Sequence, residues 1–215
     1  MMDLFPVEDF DAWAEDYDRS VDETQNFPFT GYQEVLDKVV ELADPRLAMR
    51  VLDLGIGTGN LALRFKEVGC EIWGTDFSAA MLGQTRLKLP EAHLFQADLR
   101  ALLQSNPTQP WISELNHRFD RIVSAYVFHH FELGEKIQMI RFLIGELLKP
   151  GGRLIIADIA FQNQAALESV KSSAGDDWED EFYWLADETI LALKNVGFNS
   201  TFHAITNCAG VFEIS

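Results

Sequence analysis

Residues 51–60 read VLDLGIGTGN: an apolar run containing an acid, then Gly55, Gly57 and Gly59 at every second position. An apolar run that stops at glycines suits a buried strand leading into a ligand loop, because glycine takes unusual backbone angles and lets the main chain touch a ligand closely. The dinucleotide fingerprint is G-x-G-x-x-G/A, with the third small residue packing the next helix on its strand. Asn60 stands at that third position, and Asp53 puts a negative charge ahead of the loop. A carboxylate is a poor neighbour for a pyrophosphate and a good one for an ammonium group. A nicotinamide-dependent dehydrogenase is therefore disfavoured.

Further apolar runs surround the loop. MRVLDLG, CEIWGTD, AHLFQAD, FDRIVSA and GRLIIAD alternate with helical stretches such as NLALRFKEVG, SAAMLGQTRLKL (opened by Ser78) and ELGEKIQMIRFLIGELLKPGG, stopped by Pro150. Continuous apolar strands separated by helices predict a parallel sheet covered on both faces. Near the end, FNSTFHAITNCAGVFEIS holds two strand-like runs with a link too short for a crossover, so they pair antiparallel. Earlier, Phe10, Trp13, Ala14 and Tyr17 share one helix face, and Val35, Leu36, Val39, Val40 and Leu42 define a second helix.

In such a sheet, ligands sit beyond the carboxyl ends of the strands. Asp76 closes the second strand, 21 residues after Gly55, where a carboxylate can accept both hydroxyls of a ribose. Asp98 closes the third, within reach of a base edge. Acids for an amine, a diol and a base edge suit an adenosine that carries an amino acid.

VLDLGIGTGN, GTDFSAAML, QADL, FDRIVSAYVFHHF and LLKPGGRLIIAD, in this order and spacing, resemble the class I S-adenosylmethionine-dependent methyltransferases. FDAWAEDYDRSV and GYQEVLDKVV resemble the small YrrT-type methyltransferases of bacteria. The resemblance implies a doubly wound, mostly parallel seven-stranded α/β sheet of order 3-2-1-4-5-7-6 with strand seven antiparallel. It implies an amino-terminal helical lid over residues 1–45 and a methyltransferase domain over 46–215, forming one structural unit. Asp53, Gly55, Gly57 and Asn60 would then serve the methionine part of S-adenosylmethionine and Asp76 its ribose. Phe77 and Met81 would flank the adenosine, Asp98 and the Leu99 amide would read adenine, and Ser124 would lie near the sulfonium. Tyr17, Tyr32 and Trp184 are candidates for the lid and the substrate side.

A sulfonium methyl is already electrophilic, so the enzyme has chiefly to align a nucleophile and exclude water. The Asn/Asp-Pro-Pro-aromatic motif of base-amine methylases is absent from SAYVFHHF. His129 and His130 follow the fourth strand and are the candidate catalytic groups. On a helix, neighbours point about 100° apart, so at most one should face the pocket. No H-E-x-x-H or C-x-x-C spacing supports a metal, and none is expected. A cofactor-binding adaptor without turnover is the alternative to an enzyme.

The 215 residues, 47% apolar and 24% charged, suffice for one full core. Net charge is −17, which disfavours nucleic acid and anionic membranes as partners. Residues 1–30 and 158–190 each hold nine acids and one base, so the two segments carry −16 of that total. If both border the methyl donor, a cationic small-molecule acceptor is favoured. No run approaches the roughly 20 apolar residues of a membrane span, and the acidic start does not suit a secretory signal. With two isolated cysteines, Cys70 and Cys208, a cytoplasmic location is expected.

Overall fold

The computed structural model describes residues 6–23, 26–104, 112, 118–175 and 178–215. Among the described residues, eight strands, β1 (Arg50–Leu54), β2 (Glu71–Asp76), β3 (His93–Gln96), β4 (Phe119–Ala125), β5 (Leu148–Phe161), β6 (Trp184–Leu185), β7 (Ser200–Ala204) and β8 (Ala209–Ile214), form one sheet. The main path runs β3-β2-β1-β4-β5-β8-β7, with the two-residue β6 paired off it to β5. The first five strands of that path are mutually parallel, and β8 is antiparallel to both β5 and β7. This is the expected order, with β8 and β7 in the places of strands seven and six.

Alternate residues of the central strands enter opposite cores. Leu52, Leu54, Ile122, Leu154 and Ile156 join one, Val51, Val123, Ile155 and Ala157 the other. The helices are α1 (Val7–Trp13), α2 (Tyr17–Glu23), α3 (Tyr32–Ala43), α4 (Asn60–Val68), α5 (Ala79–Lys88), α6 (Leu133–Phe142), α7 (Gln164–Ala174) and α8 (Ala186–Asn195), of which α3 to α8 cover the two faces. Val35, Leu36 and Val39 of α3 pack with Leu61 and Phe65 of α4; Met139 and Ile140 of α6 pack with Leu193 of α8 on the other side. Two guanidiniums close the carboxyl end of α3: Arg153 donates to the Leu42 carbonyl at 2.6 Å, and Arg121 to that of Ala43. Cations there satisfy orphan carbonyls and oppose the helix dipole.

Two local expectations change. The stripe from Phe10 to Tyr17 is not one helix. A turn closed by Asp16 N–H to the Trp13 carbonyl separates α1 from α2 and brings the Trp13 and Tyr17 rings edge to face at 4.7 Å. The helix ending at Pro150 stops being α-helical at Phe142, continues as a π-turn over Leu143–Leu147, and gives way to β5 at Leu148. The LKPGG segment is thus an irregularity within β5, where the register with β4 shifts between Phe119 and Arg121.

Two carboxylates fasten the amino-terminal helices over the carboxyl ends of the strands. Asp11 accepts from the Ser78 hydroxyl at 2.6 Å and the Ala80 amide at 3.2 Å. Asp18 accepts from Thr58 Oγ1 at 2.6 Å, Asn60 Nδ2 at 3.0 Å and the Lys88 ammonium. Asp18→Ala should therefore loosen α2 by on the order of 1 kcal/mol, since these half-exposed bonds are screened. Native-state hydrogen exchange should quicken across Tyr17–Glu23 and not across α3; unchanged exchange would mean that aromatic packing alone holds α2.

Candidate active site

β1 and β2 run side by side and end together, so the loop after Leu54 lies against the turn after Asp76. Gly55 and Gly57 take positive φ, 68° and 54°. A Cβ on Gly55 would also fall 2.3 Å from Val127 Cγ2, so the chain leaving β4 can cross this loop only at a glycine. Asp76 fixes the loop from the other side, accepting from the Gly57 amide at 2.8 Å and the Ser78 amide at 2.9 Å. Burial pushes Asp76 up to about 6, against the downward pull of those amides. A carboxylate has about four acceptor directions, so these amides leave part of that capacity for a ligand.

Asp53 is 2% exposed, and its Oδ2 has no hydrogen-bond partner among the described residues. Burial, and then the charge of Asp76, raise it well above the usual carboxylate range. A desolvated carboxylate in this state is costly until a cation or donor meets it.

A narrow cleft of about 100 Å³ opens here, lined by Gly55, Gly57, Asp76, Phe77, Met81, Asp98 and Leu99. Phe10 of α1 roofs it, its ring edge-on to Phe77 at 4.9 Å and to His130 at 5.9 Å. Phe10, Tyr17, Tyr126 and His130 also border a second, wider cavity of about 600 Å³. Its other walls are Asp9, Trp13, Phe27–Phe29, His129, Ile159, Glu179, Glu181 and Tyr183. The two acidic segments thus meet here, and Phe27 stacks on Trp178 at 5.1 Å. Tyr126, at the junction, holds φ at 58°, a strained conformation for a non-glycine residue.

At the floor of the second cavity His129 Nδ1 is hydrogen-bonded to Asp158 Oδ1. Asp158 also accepts from Trp184 Nε1 at 2.8 Å and the Ile159 amide at 2.9 Å. Burial alone would lower His129; the charge and hydrogen bond of Asp158 more than offset it and hold the imidazole above its ordinary value. Burial and the neighbouring His129 hold His130 below. Glu181 lies 3.6 Å from both His129 Nε2 and His130 Nδ1. The segment bearing Glu181 is pinned by the Phe182 amide on the His129 carbonyl at 3.0 Å and by Lys136 Nζ on the Phe182 carbonyl.

A family described as "Methyltransferase domain" matches residues 52–154. An uncharacterized methyltransferase of Geobacillus kaustophilus is 33% identical over 90% of this chain and 88% of its own length. The chain belongs to this methyltransferase family. The uncharacterized methyltransferase YrrT of Halobacillus halophilus is 27% identical, covering 96% of this chain and 95% of its own. Among solved structures, magnesium protoporphyrin IX methyltransferase of Synechocystis PCC 6803 with bound SAH aligns with a TM-score of 0.69 at 22% identity, covering 97% of this chain and 96% of its own. DhpI in complex with SAH aligns at 0.68 and 14%, covering 97% and 94%. At such identities the likeness is one of fold.

Not every sequence candidate of this methyltransferase lies on a cavity wall. Ser124 is buried and donates its hydroxyl to the Leu54 carbonyl at 2.7 Å, tying β4 to β1. Asn60 faces the helices, bonded to Asp18 and to Tyr32 Oη at 3.4 Å, so neither Asn60 nor Tyr32 borders the cleft. Trp184 is buried beneath the second cavity as a donor to Asp158. His129 and His130 both border the second cavity, contrary to the helix-based expectation of one. They form a short 3-10 turn, their rings lean together at 4.0 Å, and different ring nitrogens converge on Glu181. Glu181 and Lys136 had no motif to mark them; Tyr126 and Asp158 lie within FDRIVSAYVFHHF and LLKPGGRLIIAD, and the available signal for Asp158 was an acid inside the apolar strand LIIADIA.

Asp53→Asn should stabilise the ligand-free protein by on the order of 1 kcal/mol at neutral pH, roughly 2–4 °C in Tm by calorimetry. The gain should shrink as pH falls toward the ordinary carboxylate range, where the native carboxyl is already protonated. A lower Tm at pH 7 would mean that the carboxylate is compensated.

Proposed function

We propose that this protein transfers a methyl group from S-adenosylmethionine to a small-molecule acceptor carrying a basic nitrogen. One observation carries the reading: a cleft with acids for an amino-acid nucleoside opens, across Phe10, Tyr17, Tyr126 and His130, onto a second, acidic and aromatic cavity. Residues 1–45 act as the lid over 46–215. A cytoplasmic setting is supported by Cys70 and Cys208, which are buried and unbridged. No helix among the described residues is long and apolar enough to cross a membrane.

The residues present fit the cofactor. Asp76 offers its remaining acceptor capacity to the ribose hydroxyls, and Asp98 with Leu99 takes the adenine edge; Asp53, buried near the end of β1 and outside the cleft lining, keeps an unpartnered oxygen that an ammonium seated beside Gly55 would satisfy. Phe77 and Met81 flank the base. When bound, S-adenosylmethionine supplies an electrophilic methyl carbon. The bordering aromatic residues keep water from the junction. Asp9, Glu179 and Glu181, set among Trp13, Phe27, Phe29 and Tyr183, attract a cation both by charge and by ring faces. A protonated amine must lose its proton before its lone pair can attack. His129 Nε2 is the acceptor for that proton, while Asp158 on Nδ1 fixes the tautomer and stabilises the imidazolium.

Turnover of labelled methyl donor across paired panels of amines and carboxylates tests the reading. Amines should be methylated; turnover confined to anions would sink the acceptor class, and cofactor binding with no turnover on any acceptor would favour an adaptor. Asp76→Ala should weaken S-adenosylhomocysteine binding at least tenfold, about 1.4 kcal/mol. For the parent protein, affinity should fall as pH drops through about 6, because only ionised Asp76 can accept from both hydroxyls. His129→Ala should lower kcat and leave cofactor affinity unchanged.

A further inference from the structure

We propose that His129, His130 and Glu181 form a binding site for a divalent transition-metal ion of the zinc class. One ligand atom from each lies within 4.8 Å of the other two. A tetrahedral ion with bonds of about 2.1 Å holds its ligand atoms roughly 3.4 Å apart. Glu181 Oε2 lies 3.6 Å from His129 Nε2 and its Oε1 3.6 Å from His130 Nδ1, so the carboxylate already bridges the two rings. Drawing the ligand atoms in from within 4.8 Å to the tetrahedral spacing takes a shift of about 1 Å.

Three further features favour an ion over a simple ion pair. Asp158 engages Nδ1 of His129, which leaves Nε2 as the ring atom that faces Glu181. Such a carboxylate behind a ligating histidine fixes its ring and raises its basicity. Asp158 is itself held by Trp184 and the Ile159 amide, so this outer support is rigid. The surroundings are acidic as well: Asp158 is buried behind His129, and Glu181 lies 3.6 Å from both imidazoles. Two imidazoles and one carboxylate are a ligand set that zinc accepts readily, with a fourth position left open. That position faces the second cavity, which both histidines and Glu181 border.

The site stands apart from the methyl-transfer reading, but its consequence rests on it. An ion on His129 Nε2 occupies the lone pair that would take the acceptor's proton, so metal and turnover exclude one another. The predicted effect is inhibition, relieved by a chelator.

The test uses the full chain, stripped with a chelator and titrated with Co²⁺ followed by its visible absorption, then with Zn²⁺ in competition. One equivalent should bind. His130→Ala and Glu181→Gln should each weaken binding by roughly tenfold or more, and Asp158→Asn by about 10- to 100-fold through the orientation of His129. Circular dichroism and S-adenosylhomocysteine affinity separate loss of the site from loss of the fold, and Glu181→Asp should recover part of the affinity. Binding unaffected by Glu181→Gln in a folded variant, or binding abolished by Cys70→Ser and Cys208→Ser, would overturn the site. Activation by Zn²⁺ would overturn the inhibitory consequence. Absence of metal binding with amine methylation intact would remove this site and leave the proposed function standing.

Discussion

The ligand-binding end of the molecule depends on buried carboxylates held where parallel strands terminate. Asp76 is the central case. Its two oxygens clamp an amide from the loop after β1 and an amide from the turn after β2, so two strand ends become one surface. The cost is a carboxylate displaced from water, visible in its raised pKa. Asp53 bears a similar cost with less compensation. Such buried carboxylates, costly without a partner, mark a candidate functional site.

Much of this was legible in the sequence because it repeats along the chain. Apolar runs, glycines and helix stops fix the order of elements, and the alternate burial of Val51 and Leu52 or Ile155 and Ile156 follows from strand geometry. The cleft residues were legible too, since Gly55, Gly57, Asp76, Phe77, Met81, Asp98 and Leu99 sit at strand ends and the turns just beyond them, positions that topology alone turns towards one side. Asn60, Tyr32 and Ser124 sit at equally suggestive positions, but side-chain direction moves them away, and no pattern in the sequence encodes it. The second cavity was legible only as charge. Its Glu181 lies 51 positions beyond His130, on a segment whose course is fixed by the Phe182 amide and Lys136 rather than by any periodicity.

The breaks in helical pattern share a cause. A continuous helix through residues 10–17 would carry Tyr17 past the cleft; the turn at Ala14–Asp16 instead lets Trp13, Tyr17 and Phe29 form an aromatic group above it. Likewise a histidine pair on a regular helix would diverge, whereas the short turn after β4 keeps both rings on one cavity. In both places local regularity yields to the need to close a wall.

The contact between Gly55 and Val127 links events that are usually treated separately. The loop that would meet the nucleoside and the chain that leads into Phe128, His129 and His130 are in van der Waals contact, with no room between them for even a methyl group. Displacement of the loop is therefore transmitted by contact, not by charge, to a residue two positions before His129. The two cavities share this wall: the loop beside the first cannot shift towards β4 without pushing on the chain that shapes the second.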